Sequence, residues 1–184
     1  MMTRCIAFLR GINVGRAKRI AMADLRALIE GLGFSEVRTL LNSGNVVFDA
    51  TRPDQGKIAL AIQTAILKRF GHTVPVIVLT AQELNDIIAE NPLLDSAHNA
   101  ARFLVAFVAT PVALAKAGHL RSESWAPDAL AVGDKAAYLW CANGIIESKL
   151  MQAFSRVTAE TATTRNWATV LKLQAAAGAS QTAG

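Results

Sequence analysis

Residues 5–9, Cys-Ile-Ala-Phe-Leu, have no polar side chain on either face of an extended chain. A strand of this kind must be covered on both sides, so it belongs to an interior sheet flanked by other layers. The residues that follow show what can do the covering.

From Met22 to Leu32 the apolar residues Met22, Leu25, Leu28, Ile29 and Leu32 lie on one helical stripe, with Asp24 in the first turn and Gly33 as a left-handed stop. Glu36 to Leu41 and Asn45 to Phe48 have strand character, joined by the turn chemistry of Asn42-Ser43-Gly44-Asn45. Pro53 suits the first position of a second helix, whose stripe runs through Ile58, Ile62, Ala65, Ile66 and Phe70 to Gly71. Val74 to Leu79 closes the set as a strand. The order over residues 3–79 is βαββαβ, and right-handed crossovers then give four antiparallel strands in the ferredoxin-like arrangement.

Thr80-Ala81-Gln82-Glu83 spells a capping box, so a connecting helix is expected there, with Leu84, Ile87 and Ile88 inward and a stop before Pro92. Residues 91–101 read as a linker. The pattern then recurs: a strand Phe103 to Ala109, a short helix after Thr110-Pro111 that fades near Gly118, strands Ala129 to Val132 and Ala136 to Cys141, a helix from Ser148 to Val157 and an extended piece at Thr161 to Thr164. The expectation is a second ferredoxin-like subdomain offset by about 90 residues. A last helix beginning near Asn166 buries Trp167, Val170 and Leu171, and residues 179–184 are read as a flexible tail. The fold class is therefore α+β, with subdomains at 1–80 and 102–178 joined through 81–101.

With 52% of its 184 residues apolar, such a chain can bury the cores this architecture needs. A mean hydropathy of +0.31 does not indicate a membrane protein, because runs such as Phe103 to Ala109 fall far short of the roughly 18 residues that span a bilayer. The first apolar segment is short and is interrupted by Arg10, which predicts a cytoplasmic protein without a secretory leader. Cys5 and Cys141 lie in apolar runs, away from any second ligand at metal spacing, and read as buried thiols. His72, His98 and His119 are likewise scattered, so no metal is expected, and no cofactor fingerprint is present.

The net charge is +5 and the pI about 9.6, and the cations are unevenly placed. Arg4, Arg10, Arg16, Lys18 and Arg19 all precede the first acid, Asp24. Four of them sit in Arg10–Arg19, RGINVGRAKR, between the first strand and the first helix, together with Gly11 and Gly15. Backbone amides and a helix N-terminus can hold an anion at such a place. The spacing matches neither the P-loop nor the three-glycine dinucleotide motif, so a basic turn whose glycines only permit positive φ is the competing reading.

The run LRGINVGRAKRIAMADLRALIEGLGF, then VRTLLNSGNVVF, then GIIESKL and TATTRNWATVLKL resemble the bacterial family known as domain of unknown function 1697. The resemblance spans nearly the whole chain and implies two alpha-beta plait subdomains. It implies no reaction, since the family carries no established activity. The family pattern covers Arg10, Gly11, Ile12, Asn13, Val14 and Gly15, then Ser43, Gly44 and Asn45, then Ser148, Lys149 and Leu150, then Thr164, Arg165, Asn166, Trp167, Thr169 and Lys172. Two positions depart from it: Arg16 replaces a small residue, and Ile146-Glu147 stand where a glycine and a base are usual.

These residues suggest an anion-binding set of Arg10, Gly11, Asn13, Gly15, Arg16, Lys149, Arg165 and Asn166, with Trp167 as a surface on which a base can stack. The ligand expected is a nucleotide, nucleic acid or other phosphate-bearing anion. Two other classes share the same residues. One is a protein-interaction or assembly module without catalysis. The other is an enzyme on a phosphorylated metabolite, for which the sequence names no catalytic acid, base or nucleophile. The competing readings put Trp167 in a core, pair Arg165 with an acid and make Ser148 a helix cap. An RNA-recognition platform is disfavoured, because the corresponding strands offer only Phe8 and Phe48 as aromatics.

Overall fold

A computed structural model describes residues 1–96 and 98–178. It is a mixed α+β chain with two four-stranded antiparallel sheets and, among the described residues, six α-helices. The chain divides into two units: Met1–Leu84 with the stretch from Leu173, and Asn85–Lys172. The expected tail at 179–184 lies outside the described residues.

In the first unit, strands β1 (Met2–Leu9), β2 (Ser35–Leu40), β3 (Asn45–Thr51) and β4 (Val76–Thr80) are ordered β2-β3-β1-β4. Cys5 stands opposite Phe48 on one side and Thr80 on the other, which makes β1 an inner strand. One face of the sheet carries Cys5, Ala7, Leu9, Val46, Phe48 and Val78. These pack with Leu25 and Ile29 of α1 (Met22–Gly31) and Ile58, Ile62 and Ile66 of α2 (Gln55–Phe70). Each such fully buried aliphatic side chain contributes roughly 1.5–3 kcal/mol. Ile6 and Phe8, on the alternate face, are also fully buried, so the all-apolar strand is covered on both sides.

Local chemistry sets the ends of these elements. Asp54 caps α2 by accepting from the Lys57 N–H at 3.0 Å, so Pro53 precedes the cap and is not the first helical residue. Leu41 has φ +59 and opens the turn, so β2 ends one residue earlier than its apolar pattern predicted. Thr80 ends β4 and caps α3 (Ala81–Ala89). The Glu83 N–H donates to Thr80 Oγ1 at 3.1 Å and the Thr80 N–H donates to Glu83 Oε2 at 2.9 Å, the two bonds of a capping box.

The second unit holds β5 (Phe103–Val108), α4 (Pro111–Ala117), β6 (Ala129–Val132), β7 (Ala136–Trp140), α5 (Lys149–Thr158) and β8 (Ala162–Asn166), with strand order β6-β7-β5-β8. Its core joins Leu104, Ala106 and Leu139 of the sheet to Leu114, Leu150 and Phe154 of the helices. A 3-10 helix at Gly118–Ser122 continues α4, where the sequence suggested only a fading helix. The Tyr138 hydroxyl donates to the Ile87 carbonyl at 2.7 Å, satisfying a phenol that would otherwise be buried without a partner.

The last helix, α6 (Trp167–Gly178), starts one residue later than expected and has a different buried face. Val170 and Leu173 are fully buried, whereas Leu171 is 41% exposed. The division between the two units falls inside α3, and the described residues from Leu173 belong to the first unit.

Candidate functional site

The loop that links β1 to α1 is tied down at both ends. The Leu9 N–H donates to the Gly44 carbonyl at 2.8 Å and the Arg10 N–H to the Pro75 carbonyl at 2.9 Å. Ile12 and Ile20 are buried anchors, and between them Val14, Gly15, Arg16, Ala17 and Arg19 project into solvent.

Asn13 holds this arch closed. Its Nδ2 donates to the Ile20 and Asn42 carbonyls, both at 2.9 Å, while its Oδ1 accepts from the Ile20 N–H at 2.9 Å. The Asn13 N–H also donates to the Lys18 carbonyl at 3.1 Å. Both amide donors and the amide oxygen are thus engaged, so Asn13 shapes the loop and its side chain is not left over for a ligand. Its φ of +56 is a conformation that asparagine tolerates better than most residues. Gly11 and Gly15 have φ of +70 and +60. Lys18, also left-handed, donates from Nζ to the Thr73 carbonyl at 2.8 Å and serves the loop in the same way as Asn13.

The β2–β3 turn is the loop's partner. A Cβ built on Gly44 would lie 2.7 Å from Leu9 Cβ and 2.8 Å from Ile12 Cδ1, so only glycine admits this approach. Asn45, fully buried, donates from Nδ2 to the Leu40 carbonyl at 3.0 Å and to Ser43 Oγ at 2.9 Å. The RGIN and NSGN segments, separate in sequence, form one knot.

Beside the knot is a cleft of about 340 Å³ lined by Asn13, Arg19, Ile20, Ala21, Met22 and Asn42. It lies at the N-terminus of α1, where Ala21 occupies the cap position and provides no side-chain cap. Arg19 is the exposed cation on its wall, and the first-turn acid, Asp24, is bridged to Arg69 at 3.2 Å. Arg19, Asn42 and Ala21 are not in the anion-binding set that the sequence suggested. The signal was present in an N-cap position filled by a residue that cannot cap.

Lys149, Arg165, Asn166 and Trp167 belong to the second unit. Arg165 lies in β8 opposite Val105 and donates from Nη1 to the Thr164 carbonyl at 2.8 Å. Desolvation lowers its pKa to about 10, which still leaves it charged near neutrality. Asn166 Oδ1 accepts from the Thr169 N–H at 2.9 Å, so it is the cap of α6. The Trp167 ring meets Phe103 edge-on with centroids 5.5 Å apart, a packing contact. Phe8 and Phe48 are fully buried and offer no stacking face.

Ser148 caps α5 by accepting from the Met151 N–H at 3.0 Å, and its hydroxyl donates to Asp128 Oδ2 at 2.7 Å. Asp128 Oδ1 accepts from the Ala142 N–H at 2.8 Å. The Ser148 hydroxyl is thereby engaged as a donor to Asp128 and as an acceptor from the Met151 N–H, the arrangement of a helix cap. Burial raises the Cys141 pKa, against the smaller opposing effect of a hydrogen bond with Ser148. Burial, with smaller contributions from Asp49 and Glu83, raises Cys5 to about 11. Both cysteines are free and buried. Among the described residues no group of three or more His, Cys, Asp or Glu is placed to hold a metal, and no helix is long and apolar enough to cross a membrane.

The loop and its hairpin partner lie within residues 2–138, the span matched by the family described as "Protein of unknown function (DUF1697)". The chain belongs to that family. The DUF1697 match stops at Tyr138, ahead of the Ser148–Leu150 and Thr164–Lys172 segments that also carry the resemblance. No curated protein matches the chain. Among solved structures, the conserved bacterial protein SP0830 from Streptococcus pneumoniae is similar with a TM-score of 0.79 at 20% identity, over 96% of this chain and 99% of that one. At that identity the likeness concerns the fold alone.

Proposed function

We propose that this DUF1697 protein binds a phosphate-bearing anion, a nucleotide or nucleic acid backbone, at the loop between β1 and α1. The observation that carries the reading is the cleft at the α1 N-terminus, where no side chain caps the helix and Arg19 stands on the wall. Free amides and the helix dipole favour negative charge there, and a nearby guanidinium adds a planar donor fork. Arg10, Gly11, Gly15 and Arg16 belong to the same loop, and Asn13, on the cleft wall, sets its geometry. The binding group is thereby confined to one unit, and Lys149, Arg165, Asn166 and Trp167 are not required for it.

The same reading takes the two units as copies of one ferredoxin-like βαββαβ plan. Its support is the strand orders β2-β3-β1-β4 and β6-β7-β5-β8, which place corresponding strands in corresponding positions. Two buried free thiols suit a reducing cytoplasm.

Titration with inorganic phosphate, a nucleotide and a short single-stranded oligonucleotide at low salt tests the proposal. Arg16→Glu and Arg19→Glu are expected to weaken binding about tenfold each, the loss of a charge-assisted contact. A steep fall in affinity with salt identifies nucleic acid as the ligand, because released counterions set that slope. Absence of binding by all three probes, or binding indifferent to both substitutions, refutes the reading.

A further inference from the structure

We infer that the second unit carries a ligand site of its own, in the cleft between α5 and the Gly118–Ser122 helix, for a planar aromatic molecule bearing a phosphate or carboxylate group. The cleft measures about 550 Å³, within the range of small-molecule sites. No residue of the first unit enters it, so it stands independently of the loop proposal.

Lys149, Gln152, Ala153 and Arg156 line the cleft from α5. Their spacing of i, i+3, i+4 and i+7 places them on one face of the helix. The two exposed cations at the ends of this stripe are separated by about 10 Å of helix rise, the length of a ring joined to a phosphorylated sugar. The single acid on the wall, Glu123, leaves the cleft net positive and gives a carboxylate that can accept from an amino or hydroxyl group of the ligand.

The opposite wall supplies the aromatic surface. Trp125 is half-buried, and its Nε1–H donates to the Leu120 carbonyl at 2.7 Å, which fixes the indole in place. A ring held in this way loses little freedom when another ring stacks on it. His119 is oriented too: its Nδ1 lies 2.9 Å from the Lys116 carbonyl, which can only accept, so the proton is on Nδ1 and Nε2 is left for a ligand. Leu120 and Val157 give the cleft an apolar floor.

The test uses the full-length protein, with adenosine 5′-monophosphate as the probe and adenosine and inorganic phosphate as comparisons. Nuclear magnetic resonance follows the backbone amides of residues 149–157 and the Trp125 indole N–H. Saturable shifts at these signals are expected with the monophosphate, with affinity at least about tenfold above that of either fragment. Arg156→Glu and Lys149→Glu, both at exposed positions, should weaken it about tenfold or more, while Arg16→Glu in the first unit leaves it unchanged. The site is refuted if no saturable shift occurs, if the α5 substitutions change nothing, or if Arg16→Glu abolishes the shifts. Phosphate binding as tightly as the monophosphate refutes its aromatic specificity.

Discussion

Half-buried Asn13 and buried Gly44 fix the loop and the turn it packs against. Asn13→Asp removes two donors from the Ile20 and Asn42 carbonyls and turns an anionic oxygen toward them. A loss of about 2–4 kcal/mol is expected in urea unfolding, and a loss below about 0.5 kcal/mol would show that the arch is held by other means. Gly44→Ala meets two obstacles, a φ of +82 and the contacts with Leu9 and Ile12. It should cost about 2–3 kcal/mol on the same measurement. Cys5 yields a prediction about pH. Its pKa is raised from 9.0 to about 11 in the folded protein, so between those values the unfolded chain holds fewer protons than the native one. Stability therefore falls as pH rises from about 9 to 11, and Cys5→Ala should flatten that part of the profile relative to wild type. A slope unchanged by the substitution would argue against the buried thiol as its source.

At the scale of elements, the joint between β4 and α3 is held through a single carboxylate. Glu83 accepts from the Thr80 N–H, from the Thr80 hydroxyl and from Gln55 Nε2 of α2, so one carboxylate links a strand end to two helices. Thr80→Val keeps the β-branched shape the strand wants and removes only the cap, for an expected loss of about 1 kcal/mol. Glu83→Leu should cost more, because it leaves Gln55 as well as the Thr80 amide without this acceptor. Thermal unfolding of the two single variants and the double checks the ordering, and simple additivity would contradict a shared network. The capping box was legible because its two partners are three residues apart. The contribution of Gln55, 28 residues away, was not.

At the scale of the whole molecule, the described residues from Leu173 to Gly178 belong to the unit that contains β1. Leu173 is fully buried and is counted with the first unit, although α6 starts from β8 of the second. Leu173→Ala should cost about 2–5 kcal/mol and lower hydrogen-exchange protection in β1–β4 more than in β5–β7. Equal loss in both sheets would oppose that assignment. Helical periodicity placed Trp167, Val170 and Leu171 inward together, and the structure instead exposes Leu171 and buries Leu173. A stripe of apolar residues tells that a helix has a buried side, but the partner surface decides where along the stripe the contact is centred.

The same division runs through the candidate sites. Sequence by itself determined the α+β class, the order of strands and helices, the burial of β1 on both faces and the capping box at Thr80–Glu83, because those follow from side-chain period and from chemistry within four residues. Tertiary structure alone decided that Asn13 is spent on Ile20 and Asn42, that Gly44 closes on Ile12, that Asn166 and Trp167 serve a cap and a packing contact, and that Lys149 faces a cleft with Arg156 and Trp125. Each of those outcomes depends on which distant backbone reaches a side chain's hydrogen-bonding or packing range, a distance set by the folded path of the chain and not by the spacing of residues along it.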